Sequence, residues 1–196
     1  MKYLIALLFL VGCGSVQVES PKAPELKQVK NIWPKKEMDE VARSAINLYG
    51  KELLASKPAD IDSWCLDIES VDKVSFYSAM LSHMSKYESN FNTELTYTEK
   101  FPDGSGNRVI SRGLLQVSYE SCLKGYKANI KSGEELHDPV KNLECSVKIL
   151  SKLIPENNLI AAKVDGKYKG AARYWSVMRP ENKLSLIKSG VMEACK

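Results

Sequence analysis

Residues 71–91 read "VDKVSFYSAMLSHMSKYESNF". Within this stretch Val74, Tyr77, Leu81, Met84, Glu88 and Phe91 recur at alternating three- and four-residue steps, which collects them on one face of an α-helix. Five of the six suit a buried stripe, and Glu88 does not. A carboxylate on an apolar face is costly to ionise, so its pKa rises and it keeps its proton near neutral pH. That is the property a general acid needs.

Similar helical periods flank this segment, in "MDEVARSAINLYGKELLA" at 38–55 and "PVKNLECSVKILSKLI" at 139–154. Asp138 before Pro139 predicts a helix start, because the Asp side chain can cap free backbone N–H groups and proline lacks an N–H that the first turn would leave unpaired anyway. Val140, Leu143, Val147, Leu150 and Ile154 then form the predicted buried stripe. The exception to helical patterning is "TELTYTEKFPDGSGNRVIS" at 93–111, rich in Thr, Tyr and Val around a Pro-Asp-Gly-Ser-Gly-Asn centre, which predicts a β-hairpin. The expected fold class is mainly α (α+β), one domain with a small β-hairpin.

The chain has 196 residues, 44% of them hydrophobic and 27% charged, enough for one buried core. Its formal charge of +4 is scattered, with no nucleic-acid signature. The first residues, "MKYLIALLFLVGC", have a lysine, an apolar run too short to span a membrane, then small Gly12 and Cys13. The ending resembles the lipobox of bacterial lipoproteins, which implies export, lipidation of Cys13 and membrane association, with the outer membrane facing the periplasm as the expected destination. Residues 1–12 are then the signal peptide, 13–36 a proline-containing tether, and 37–196 the folded domain. Without Cys13, four cysteines remain for an oxidising compartment, and they allow three pairings. Cys122 with Cys145 and Cys65 with Cys195 are preferred, the first joining neighbouring helical segments and the second pinning the C-terminus. His83 and His137 stand alone, no metal-ligand spacing is present, and no cofactor is implied.

Four motifs carry a resemblance to a known family. "Glu88-Ser89-Asn90-Phe91", "Gly113-Leu114-Leu115-Gln116-Val117", "Asp138-Pro139-Val140-Lys141-Asn142" and "Ala172-Arg173-Tyr174" stand in the order found in lytic transglycosylases and goose-type lysozymes. Over residues 70–180 the chain therefore resembles this lysozyme-like family, which cleaves peptidoglycan glycan strands. The resemblance implies a catalytic acid at Glu88, sugar contacts from Ser89, Gln116 and Val117, and a Tyr174 hydroxyl facing the site. Tyr97, Tyr174 and Trp175 offer faces for sugar rings, and Gly113 would permit close approach of a sugar to the backbone. Trp175 and Val177 stand where the family usually has Asn and Gly, which points to an altered sugar preference, such as a glycan whose 2-acetamido groups are modified or missing. Arg112 adds a positive charge near the expected cleft.

The family contains both anhydro-forming and hydrolytic enzymes, and a hydrolase working through an external base needs a second carboxylate. Strand alternation puts Leu95, Tyr97, Glu99 and Phe101 on one hairpin face, so Glu99 is the first candidate, with Asp103 in the turn as the second. Family frequency favours transglycosylation. A wall-binding lipoprotein that uses the cleft without catalysis is the alternative, and the presence of Glu88 argues against it.

Overall fold

The computed structural model describes residues 25–196, so the expected signal peptide and Cys13 lie outside the described residues. Five helices follow in chain order: α1 (Lys36–Tyr49), α2 (Lys51–Ala55), α3 (Lys73–Glu88), α4 (Pro139–Asn157) and α5 (Leu184–Ala194). Asp72 caps α3 by accepting hydrogen bonds from the Val74 and Ser75 N–H groups, and Asp138 accepts from Val140 ahead of Pro139 at the start of α4. α3 packs against α1 and α5, and α1 also packs against α4.

The expected one-sided stripe of α3 is wider than its periodicity suggests. Tyr77, Leu81 and Met84 are buried, but so are Ser75, Ser78, Ser82 and Ser85. Three of these serines accept hydrogen bonds from a segment the sequence assigns to the tether: Val29 N–H to Ser75 at 2.8 Å, the Trp33 indole N–H to Ser78 at 3.1 Å and Ile32 N–H to Ser82 at 3.1 Å. Lys27 also forms a parallel bridge with Val71. The boundary at residue 37 is therefore corrected: residues 27–33 lie along the central helix, with Val29 and Trp33 in the core. On α4, Leu143, Val147, Leu150 and Ile154 are buried as expected, whereas Val140 is 52% exposed because its turn faces solvent at the helix start.

The predicted hairpin forms from β1 (Thr96–Pro102) and β2 (Arg108–Arg112), antiparallel, with Tyr97 opposite Ser111 and an irregular register between Thr98 and Pro102. A short β3 (Val117–Ser118) pairs with the other edge of β2. A second hairpin, β4 (Ala161–Val164) and β5 (Lys167–Gly170), turns through Asp165 and Gly166, both at positive φ. Cys122–Cys145 and Cys65–Cys195 are disulfides, the pairing preferred from sequence. The second closes a loop across 130 positions of sequence and pins the C-terminal helix to the core, where the Lys27 ammonium also donates to the Cys195 carbonyl.

A chain beginning at residue 25 is expected to melt with the full-length protein, while one beginning at residue 37 loses the burial of Val29 and Trp33. At about 1.5–3 kcal/mol for each large apolar side chain, the shorter chain should be less stable by about 3–6 kcal/mol. Urea denaturation of both checks this, and equal midpoints would restore the tether boundary at 37.

Candidate active site

Glu88 is the last residue of α3, and the "Ser-Asn-Phe" after it is a helix stop. Ser89 caps the end, and its hydroxyl donates to the Leu114 carbonyl at 2.9 Å. Asn90 and Phe91 both take positive φ, 51° and 64°. A bulky side chain seldom adopts that conformation, and the Phe91 ring is held there against Trp33, 5.9 Å between centroids. The stop leaves the Glu88 carboxyl half-buried in a cleft of about 670 Å³ between the end of α3, the first hairpin and residues 173–179.

Across the cleft, β1 presents Tyr97, Glu99 and Phe101 from one face, as the alternation predicts. Glu99 Oε1 accepts a 2.7 Å hydrogen bond from the Ser111 hydroxyl. Burial foremost, with the charge of Glu99 acting in the same direction and a backbone N–H from Val177 pulling the other way, leaves the Glu88 carboxyl pushed up to about 7. One cleft therefore holds a carboxyl that keeps its proton near neutrality and a second that is placed by a hydroxyl donor.

The opposite lip is built by a buried amide. Asn142 donates to the Arg112 and Leu136 carbonyls, both at 2.8 Å, and accepts from the Leu115 N–H at 3.0 Å. A Cβ on Gly113, at φ 71°, would lie 2.3 Å from the Leu136 carbonyl oxygen and 2.4 Å from the Asn142 amide nitrogen. Gly113 is therefore required by this packing and not, as expected, by approach of a sugar. Gln116, at φ 46°, lines the cleft. Its amide nitrogen donates to Leu95 and Gly113 carbonyls, and its Oε1 is buried with no partner among the described residues.

Other sequence-predicted positions fall differently. Ser89 and Val117 are buried, the first spent on Leu114 and the second in β3, so neither lines the cleft. Asp103 closes the hairpin turn, accepting from the Ser105 and Asn107 N–H groups at 2.8 Å each, and is no second carboxylate of the cleft. These bonds, that from Asn107 foremost, hold its carboxyl below the usual range. Arg112 turns away to pair with Glu134 at 3.1 Å. Tyr174 does line the cleft, its hydroxyl accepting from Ser118 N–H at 3.1 Å, and burial raises its pKa. Trp175 also lines the cleft but is 2% exposed and packed in the core, with its indole N–H given to the Leu115 carbonyl at 2.8 Å. Sequence reasoning missed Ser111 and the Val177 backbone, because both act through positions that only the folded chain brings near the two carboxyls.

The chain is similar to solved structures of Bd0314 DslA: the wild-type protein at 39% identity and a TM-score of 0.79, covering 87% of this chain and 100% of that one. Two single Glu-to-Gln variants of the same protein match at 38% and 40% identity with TM-scores of 0.79 and 0.78. The positions changed in those variants lie eleven residues apart, the separation between Glu88 and Glu99. No protein-family profile and no curated protein matches the chain.

The Glu88 carboxyl should titrate near pH 7 when followed by carbon NMR, and in Glu99→Gln its midpoint should fall, since a neighbouring negative charge is gone. Its pKa is raised on folding, so its stabilising contribution is complete below the unfolded value near 4.5 and is lost as pH rises through about 7. Glu88→Gln should therefore gain stability over the parent between pH 5 and 8, on the order of 2 kcal/mol. A midpoint near 4.5 would remove the basis for Glu88 as an acid at neutral pH.

Proposed function

The chain belongs to the family of Bd0314 DslA, and on that footing we propose that it is a glycosidase of peptidoglycan, acting on the β-1,4 bond between N-acetylmuramic acid and N-acetylglucosamine. The observation that carries the reading is the pairing of Glu88 and Glu99 in one cleft, with Glu88 protonated up to about pH 7. Glu88 gives its proton to the glycosidic oxygen as the bond from that oxygen to C1 breaks. A water attacks C1, and its proton passes to Glu99, so both carboxyls are recharged by exchange with solvent. Carboxylates placed for this chemistry hold charge complementary to an oxocarbenium-like transition state.

Hydrolysis is favoured over anhydro-ring closure because the second carboxylate lines the cleft on the face that strand alternation gives it. Tyr97 and Phe101, 49% and 60% exposed, offer ring faces along the same wall for sugar rings. Trp175 spends its one donor on Leu115, leaving no polar group at the position where the resembled family has Asn. A glycan whose 2-acetamido groups are modified or missing loses nothing there, and we take such chains as the preferred substrate. Cys13 is proposed as a lipid anchor that keeps the enzyme at the envelope.

Glu88→Gln should lower the release of soluble fragments from purified sacculi by at least about 10²-fold, the usual contribution of a general acid, with a melting temperature no lower than the parent's. Mass spectrometry of the fragments separates the chemistries: reducing ends that take up labelled oxygen from water are expected, and 1,6-anhydro ends would overturn hydrolysis. Comparing native with de-N-acetylated sacculi tests the preference, with faster release from the latter expected. Separately, Cys13→Ala should move the protein from the membrane fraction to the soluble one, because a single lipidated residue is the anchor being removed; retention in the membrane would reject the lipoprotein reading.

A further inference from the structure

We propose that Ser111 is a positioning residue of this site, whose hydroxyl fixes the Glu99 carboxylate as the proton acceptor of the pair. The inference rests on the two-carboxylate reading above. Ser111 lies opposite Tyr97 in the ladder, and Tyr97 and Glu99 share a face of β1, so Ser111 is the diagonal neighbour of Glu99. The distance from its hydroxyl to Glu99 Oε1 is 2.7 Å, within the range of a hydrogen bond from a hydroxyl to a carboxylate.

The two partners differ in how firmly the backbone holds them. Ser111 is 5% exposed and sits in β2, paired to β1 on one side and, through Ser118, to β3 on the other. Glu99 lies on the edge strand, inside the stretch between Thr98 and Pro102 where the register is irregular. The ladder alone therefore does not fix Glu99, and the bond from the rigid central strand supplies what it lacks. A hydroxyl has one proton to donate, and here it goes to Oε1. Oε2 has no protein partner among the described residues and remains as the oxygen that takes up a proton from the attacking water.

The test uses the full chain acting on soluble glycan oligomers. Ser111→Ala should reduce kcat by about tenfold or more while KM stays within about twofold, the pattern of an interaction needed beyond substrate binding. Ser111→Thr, which keeps the hydroxyl on a residue that suits a strand, should restore most of the rate. In a Glu99→Gln background, measured over long incubations, Ser111→Ala should cost nothing further, because its effect runs through Glu99. An equal proportional loss in both backgrounds, or unchanged kcat in Ser111→Ala at an unchanged melting temperature, would overturn the assignment. If the unaltered protein releases no reducing ends from the same oligomers, the glycosidase reading itself falls, independently of Ser111.

Discussion

The buried side chain of Asn142 is the interaction on which the rest of the site depends. It is fully buried and satisfies three backbone groups at once, the carbonyls of Arg112 and Leu136 and the N–H of Leu115. Each buried polar group left unpaired costs about 1–3 kcal/mol, so the loop from 113 to 116 has one strongly favoured path. That path supplies the Leu114 carbonyl that takes the Ser89 hydroxyl and the Leu115 carbonyl that takes the Trp175 indole. The end of α3, and with it Glu88, is therefore set by an amide on α4. Gly113 is part of the same constraint, since no side chain fits where Asn142 passes.

Charge in the cleft is arranged by contrast. Glu88 emerges from a helix end wrapped in core residues, so water is scarce around it and its proton is retained. Glu99 stands on a solvent-facing hairpin and finds a hydroxyl donor. Two groups of one chemical type thus acquire different surroundings from the different elements that carry them, and a charged Glu99 makes ionisation of Glu88 less favourable. The Val177 backbone N–H moderates this, keeping the proton on Glu88 transferable near neutrality.

Much of this was legible along the chain wherever the cause is local. The cap at Asp138, the hairpin around residues 102–107 and the alternation that puts Glu99 on the face of Tyr97 follow from spacing and residue type, and the cysteine pairing is the preferred one of three. The second hairpin carries a readable signal as well, the Asp165-Gly166 pair at its turn. Residues 27–33 read as a tether because of their surrounding prolines and charges, while their partners are serines 45 to 50 positions away. Serine at helical spacing reads as a solvated face until a second strand of chain covers it. For the same reason Ser89 and Val117 read as sugar contacts while the fold uses them for itself.

The meeting of residue 27 with the C-terminal residues has a consequence for topology. Lys27 bridges to Val71 on one side and reaches the Cys195 carbonyl on the other, while Cys195 is bonded to Cys65. The described polypeptide is thus close to a closed ring, and the order in which its elements are encoded is one of several that yield the same object. A permuted form of residues 25–196, with 196 joined to 25 by a short flexible linker and opened at the exposed Asp165-Gly166 turn, keeps α3, the first hairpin and α4 in sequence. The elements that carry Glu88, Glu99 and Asn142 would then form one uninterrupted block, with both free ends placed on the second hairpin.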